Sequence, residues 1–203
     1  MRIDAHHSFS TRYPLEHLEI ILKRNRFEGS ILAGPPRDAP DFVRGFIAPA
    51  EQSGGDSRVC AAQVKRLEDL EKAPAHLPLD LMEMLAHVPE VAALFPGRPL
   101  AIEHLGAPAG DDWPELMEAA AQFPQVCCKL SGLRRFSEPR WCVQHALRLF
   151  GPRRLMFGSD WPNGLPEHTW KASLALFTQA IGAQSIETGD DLLGGTAARF
   201  YGI

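Results

Sequence analysis

His6, His104 and Asp160 are the residues of this 203-residue chain whose types and settings best suit chemistry on a polar substrate. Each stands at or near the end of an apolar run: IDAHHSF (3–9), AIEHLG (101–106) and RLMFGSDWP (154–162). Asp160 closes its run in a Trp-Pro turn, where a partly buried carboxylate can take a proton from water and return it to a leaving alkoxide. Asp also caps turns, so a purely local role stands beside the catalytic one. In a strand, Asp4, His6 and Ser8 leave one face and His7 the other; one inserted residue would reverse the alternation and turn His7 inward. Zinc sites in hydrolases use about three protein ligands and keep one position open for water. His6, His104 and Asp160 meet that minimum for one divalent cation, zinc first, although Ser8 stands where a further ligand is expected. Without a metal, the two imidazoles would donate hydrogen bonds to a carbonyl oxygen as it gains negative charge.

Lys129 and Arg135 lie in KLSGLRRFS (129–137), where an apolar run gives way to a loop, and are candidate substrate contacts; a solvated basic loop is the plainer reading. His168 follows the GSDWP turn and is placed to reach the same region. His17, His87 and His145 fall in helix-like segments and His76 precedes a strand, settings in which an ordinary core or surface imidazole is expected. Ser131 lacks the G-x-S-x-G setting of a nucleophilic serine.

These groups need a scaffold that brings distant strand ends together. Seven runs of strand length recur: 2–9, 29–34, 43–49, 77–84, 99–106, 125–133 and 153–162. They are nearly continuous in apolar residues, as strands covered on both faces are. Segments with helical spacing lie between them at 14–26, 62–72, 114–124, 141–151 and 168–182. The alternation predicts an α/β fold with a parallel sheet. His6, His104, Lys129 and Asp160 sit toward the C-terminal ends of four different strands, the face on which (β/α) barrels assemble their sites. No G-x-G-x-x-G follows the first strand, which counts against a doubly wound sheet. The expectation is a TIM-barrel-like fold over a single domain, residues 1–203. It is shortened or incomplete in its first half, because such barrels typically need ~250 residues. The contraction falls at about 35–75, where GPPRDAPDF is short for a crossover helix and 48–60 reads as a polar loop.

Hydrophobic residues make up 45% of the chain and the formal net charge is −4, which fits a globular protein with one sizeable core. No basic run has the density that nucleic acid or an anionic membrane requires, and no apolar run reaches the ~18 residues of a membrane span. The expected partner is a small molecule, with self-association left open, and the expected location is cytoplasmic. The four cysteines form no C-x-x-C pair, and adjacent Cys127 and Cys128 would point to opposite faces of a strand; free thiols are the reading.

Taken together and in order, IDAHHSF, AIEHLGAP, CCKLSGL, RLMFGSDWP and the closing GGTAARFYG resemble the amidohydrolase-related lactone hydrolases of the fuconolactonase and pyrone-dicarboxylate lactonase type. The resemblance implies a distorted TIM barrel that hydrolyses small cyclic esters, with a metal in some relatives and none in others. It also implies that Arg135, rather than Arg134, grips a substrate carboxylate, a task to which the guanidinium fork is suited. Two departures stand out: the second histidine of the usual His-x-His is Ser8, and the chain is contracted as described. Related barrels decarboxylate aromatic acids, which gives a second reading; a catalytically silent binding or scaffold relative is the third.

Overall fold

The computed structural model describes residues 1–107 and 110–203. Eight parallel strands form one sheet whose spatial order follows the chain: β1 (Ile3–Ser8), β2 (Gly29–Ala33), β3 (Val43–Pro49), β4 (Val59–Val64), β5 (Leu79–Leu81), β6 (Leu100–Ile102), β7 (Val126–Leu130) and β8 (Leu155–Phe157). Among the described residues seven helices accompany them: α1 (Leu15–Arg24), α2 (Val88–Leu94), α3 (Trp113–Ala121), α4 (Pro139–Phe150), α5 (Trp170–Ile181), α6 (Ile186–Asp190) and α7 (Thr196–Tyr201). The sheet curls until its ends meet. Asp160 N donates to His6 O at 3.0 Å and Ser8 N to Trp161 O at 2.7 Å, so the barrel is nearly closed at the C-terminal end of β1 and β8.

The structure corrects the expected strand count from seven to eight. Residues 59–64 form β4, where a polar loop and the start of a helix over 62–72 are predicted. The misleading signal is Val64, Leu67 and Leu70, spaced by three. That spacing is met by the end of β4 followed by a 3-10 turn over Leu67–Lys72, whose own period is three residues. Helix α2, absent from the predicted set, covers the β5–β6 connection.

The barrel is therefore not interrupted between about 35 and 75; what the contraction removes is helices. Residues 34–42 join β2 to β3 without a helix, and the next two connections hold only the 3-10 turns Ala50–Gln52 and Leu67–Lys72. Phe42, Leu70, Ala73 and Leu77 from these short connections are buried in the outer core, in the place of helix side chains.

Two apolar layers result from the alternation of side chains. Ile3, Ile31, Ile47, Ala101 and Met156 fill the barrel interior together with Ala197, Phe200 and Tyr201 of α7. Phe157, Trp170 and Phe177 pack edge to face in the outer layer, with Phe27 against the first two. Cys127 packs on the inner layer and Cys128 lies in the outer one, as alternation predicts, and all four cysteines are free. Among the described residues no helix is long and apolar enough to cross a membrane.

The closing GGTAARFYG now has a physical reading. Gly194 lies so close to the first strand that a Cβ there would stand 2.5 Å from Met1 O and 2.6 Å from Ile3 N. Thr196 Oγ1 donates to Pro152 O, and α7 then delivers Tyr201 into the interior. Gly194→Ala is expected to lower the unfolding free energy by about 1–3 kcal/mol through overpacking against backbone. Gly189→Ala, where an added Cβ meets nothing within 4 Å, should leave it unchanged or raise it; denaturant titration of both variants checks the contrast.

Candidate active site

Three backbone irregularities gather the site. The β1–β2 register shifts between Asp4 and His7, so Asp4 and His6 do not share a face as a regular strand would require. Asp4 lies against the helix layer, where it accepts from Ser159 N (2.8 Å) and Trp170 Nε1 (2.7 Å). Burial raises its pKa to about 6 against the pull of those donors. His6 turns into the barrel. The predicted alternative, an inward His7, does not occur: its ring nitrogens have no hydrogen-bond partner and it takes no part in the cluster. Ser8 stays outside the cluster as well, its hydroxyl accepting from Asn163 Nδ2 at 3.2 Å.

The second irregularity follows β6. His104 (φ 49°) and Leu105 (φ 55°) adopt the left-handed conformation, which is unfavourable for residues with a Cβ and concentrates at functional sites. The break lets the neighbours Glu103 and His104 face the same space, where an unbroken strand would send them to opposite sides. The third is Asp160 itself (φ 57°), just beyond β8. Gly158, two residues earlier, leaves room for His6 and Ser131, since a Cβ on it would lie 2.9 Å from the Cβ of each.

The cluster built this way is tight and almost fully buried. The His6 and His104 rings meet edge to face with centroids 4.7 Å apart. His104 Nδ1 shares a hydrogen bond with Ser131 Oγ at 2.8 Å, leaving Nε2 directed at Glu103 Oε2 (3.9 Å) and Asp160 Oδ1 (4.0 Å). Glu103 Oε1 accepts from Gln63 Nε2 at 3.1 Å and lies 3.5 Å from Lys129 Nζ, while Oε2 is buried without a hydrogen-bond partner. Asp160 Oδ1 accepts from Asn163 Nδ2 at 2.8 Å, and Arg134 and Arg135 each reach Oδ2 at 3.4 Å. The side chains of His6, Glu103, His104 and Asp160 are 1–4% exposed, whereas those of both arginines are 32% exposed. The arginines thus lie between the carboxylate and solvent.

Of the residues singled out from sequence, His6, His104 and Asp160 converge, with Arg134 and Arg135 equally close to Asp160. Lys129 lies deeper, fully buried, and its amine is held by Asp80 and Glu103. His168 is half-buried at the edge, lining a narrow cleft with Arg134, Ser159 and Asp160; burial and the nearby Arg134 lower its pKa. Sequence reasoning missed Glu103, Gln63, Asp80 and Tyr201. A carboxylate inside LPLDLMEM was a legible signal for Asp80, because a polar residue within a buried strand needs a partner.

Burial lowers the pKa of both His6 and His104, against the pull of the Glu103 carboxylate, so both imidazoles are neutral at neutral pH. Burial raises Glu103, but the Lys129 ammonium outweighs it and holds the carboxyl well below the usual range. Neutral imidazoles and an ionised carboxylate are the donor chemistry that a divalent cation takes. Ligand atoms of His6, Glu103 and His104 lie within 4.8 Å of one another, and the partnerless Glu103 Oε2 offers a lone pair, so the residues present fit such an ion. Beside the cluster, a cavity of about 530 Å³ opens over the ends of β3 and β4, lined by Pro49, Gln63, Lys65 and Arg66; Gln63 links it to Glu103. A larger apolar groove of about 890 Å³ runs between α4 and α5 beside Trp141 and touches none of the cluster.

Comparison with known proteins bears on the same region. Residues 72–203 match the Amidohydro_2 model, described as amidohydrolase. A stretch covering 51% of this chain is 36% identical to the L-fucono-1,5-lactonase of Burkholderia multivorans (strain ATCC 17616 / 249) and covers 43% of that protein, so the match spans less than half of the curated relative. An amidohydrolase (cog3618) structure from Burkholderia multivorans with bound zinc superposes at a TM-score of 0.83 and 21% identity, over 100% of this chain and 99% of that one. A Pseudomonas putida protein classed as a 2-pyrone-4,6-dicarboxylic acid hydrolase superposes at 0.75 and 20% identity, over 99% and 97%. At these identities the superpositions establish the fold.

His7, left out of the cluster, provides a test of the bulge. Burial lowers its pKa to about 3, so between the unfolded-state value of roughly 6.5 and pH 3 the unfolded chain binds a proton that the folded chain does not. Stability contributed by the neutral ring is complete above pH 6.5 and is lost as the pH falls. His7→Leu is expected to flatten this part of the pH–stability profile, by a few kcal/mol at pH 4 relative to pH 7. Urea titrations of both proteins across that range read it directly.

Proposed function

The chain belongs to the amidohydrolase family, and from that membership together with the site geometry we propose that it hydrolyses a small lactone or related cyclic ester. The observation that carries this reading is the convergence of His6, His104, Glu103 and Asp160 from β1, β6 and β8 at the C-terminal end of the barrel. Asp160 takes a proton from water, the water oxygen attacks the ring carbonyl carbon, the carbon–oxygen bond of the ring breaks, and the proton passes to the departing alkoxide. The neutral imidazoles of His6 and His104 stand where N–H donors can meet the carbonyl oxygen as it becomes an oxyanion. Ser131 fixes the orientation of His104 through Nδ1.

Entry of substrate requires Arg134 and Arg135 to leave Asp160. An anionic group on the ring provides the exchange, since it takes over the guanidinium pairing and frees the carboxylate for water. Arg135 is assigned to that group, with His168 at the edge of the cleft beside Arg134; Lys129, expected from sequence as a substrate contact, is fully buried beneath the cluster and does not reach it. The cavity beside Gln63 has the size of a small-molecule site and is lined by polar and charged side chains. One divalent cation, zinc as first candidate, would be held by His6, Glu103 and His104 with Asp160 adjacent, and when bound it polarises the carbonyl.

The test is turnover of a panel of small lactones in ¹⁸O-labelled water. Incorporation of one labelled oxygen into the ring-opened acid is expected. Asp160→Asn should lower kcat/KM by roughly 10²–10⁴-fold with the fold intact; retention of activity within tenfold would refute the assignment. Carbon dioxide released from an aromatic acid without label uptake would move the chain to decarboxylation, and absence of any turnover to a binding role.

A further inference from the structure

Lys129 is a charged side chain fully shut off from solvent. Its side chain is 0% exposed, yet its ammonium lies inside the barrel directly against the candidate metal donors. Nζ donates to Asp80 Oδ2 and lies 3.5 Å from both Glu103 Oε1 and His6 Nδ1. Tyr201 stands on the other side, with its ring centroid 5.8 Å from Nζ and its hydroxyl donating to the same Asp80 oxygen at 3.1 Å. An ammonium has three N–H donors and no acceptor. Here the three contacts are Asp80, Glu103 and His6, so all are accounted for.

Two consequences follow for the cluster. A fixed positive charge already neutralises Glu103, the one carboxylate in the set His6–Glu103–His104. In addition, the Lys129 ammonium faces His6 Nδ1 at 3.5 Å, inside the 3.7 Å that separates the same nitrogen from Glu103 Oε1; this contact favours Nδ1 as the acceptor and so the ring proton on Nε2. A protonated Nε2 is a hydrogen-bond donor, and a metal binding there must first displace its proton, which weakens the site without abolishing it.

We propose that Lys129 is the resident cation of this site: it supplies the charge that a divalent ion would otherwise bring to Glu103, fixes His6 as an Nε2–H donor, and thereby makes metal binding weak. The inference goes beyond the hydrolytic reading and is measured without substrate, so either can fail alone. It assigns Lys129 a role from beneath the cluster as a positioning residue.

Zinc affinity, measured by competition with a chromophoric chelator, tests it in the wild type, Lys129→Met and Lys129→Arg. Met nearly matches the length of Lys in a dry site while removing the charge. Lys129→Met is expected to bind one zinc ion roughly tenfold or more tightly than the wild type. Lys129→Arg, which keeps the charge, is expected to stay at the wild-type value. Should Lys129→Met fail to fold because Asp80 loses its partner, Asp80→Asn/Lys129→Met removes the ammonium and the carboxyl together and must show the same gain. Unchanged or weaker zinc binding in the folded Met variant, or an equal gain in Lys129→Arg, overturns the proposal.

Discussion

One ammonium joins parts of the chain that are otherwise far apart. Lys129 on β7 contacts Asp80 on β5, Glu103 beyond β6 and His6 on β1, and Tyr201 of α7 stands against it from below. A charge with no exposure to water is tolerated only where partners surround it, and removing one partner leaves the rest uncompensated. Burial raises the pKa of Asp80 to about 8, whereas Lys129 pulls Glu103 the other way, so the two carboxylates flanking one ammonium have opposite characters. The barrel interior is accordingly tiered: an apolar floor closed by α7, a layer of buried charge, and the imidazoles and Asp160 above it. The arrangement of the upper tier depends on the middle one, because His6 and Glu103 belong to both.

The α/β class and the convergence of His6, His104 and Asp160 were legible because they rest on alternation and on the rule that barrel sites form at C-terminal strand ends. What escaped lies where that alternation fails. Glu103 was invisible because a strand sends neighbours to opposite faces, and only the left-handed turn at His104 and Leu105 brings it beside its neighbour. Asp4 was placed with His6 for the same reason, and the register shift in β1 separates them. Gln63 was hidden inside a segment read as helix, since Val64, Leu67 and Leu70 repeat at a spacing shared by a 3-10 turn. For Glu103 and Asp4 the local rule was sound and a backbone irregularity that serves the site overrode it, whereas Gln63 sits in a regular strand that the spacing disguised.

The contraction of the first half also has a physical account. Parallel pairing of β2 with β3 and β3 with β4 persists across connections that carry no α-helix, so strand order and barrel curvature do not depend on a complete outer ring. Apolar side chains from those short connections take over the covering role on that flank. On the same side the barrel mouth has a polar cavity over the ends of β3 and β4. Loss of bulk outside the strands thus coincides with open space above them.

The intimate packing of residue 194 on the backbone of the opening strand has a consequence for how the molecule is assembled. As the chain leaves the ribosome, β1 can pair with β2 early, yet its other edge finds no neighbour until Asp160, Trp161 and the segment around Gly194 have emerged. Until then the nascent sheet is an open arc with a bare rim at its first strand, the kind of surface that invites wrong pairing. Completion of the ring therefore waits for the segment from Asp160 through Gly194, far along the chain from the strand it closes on.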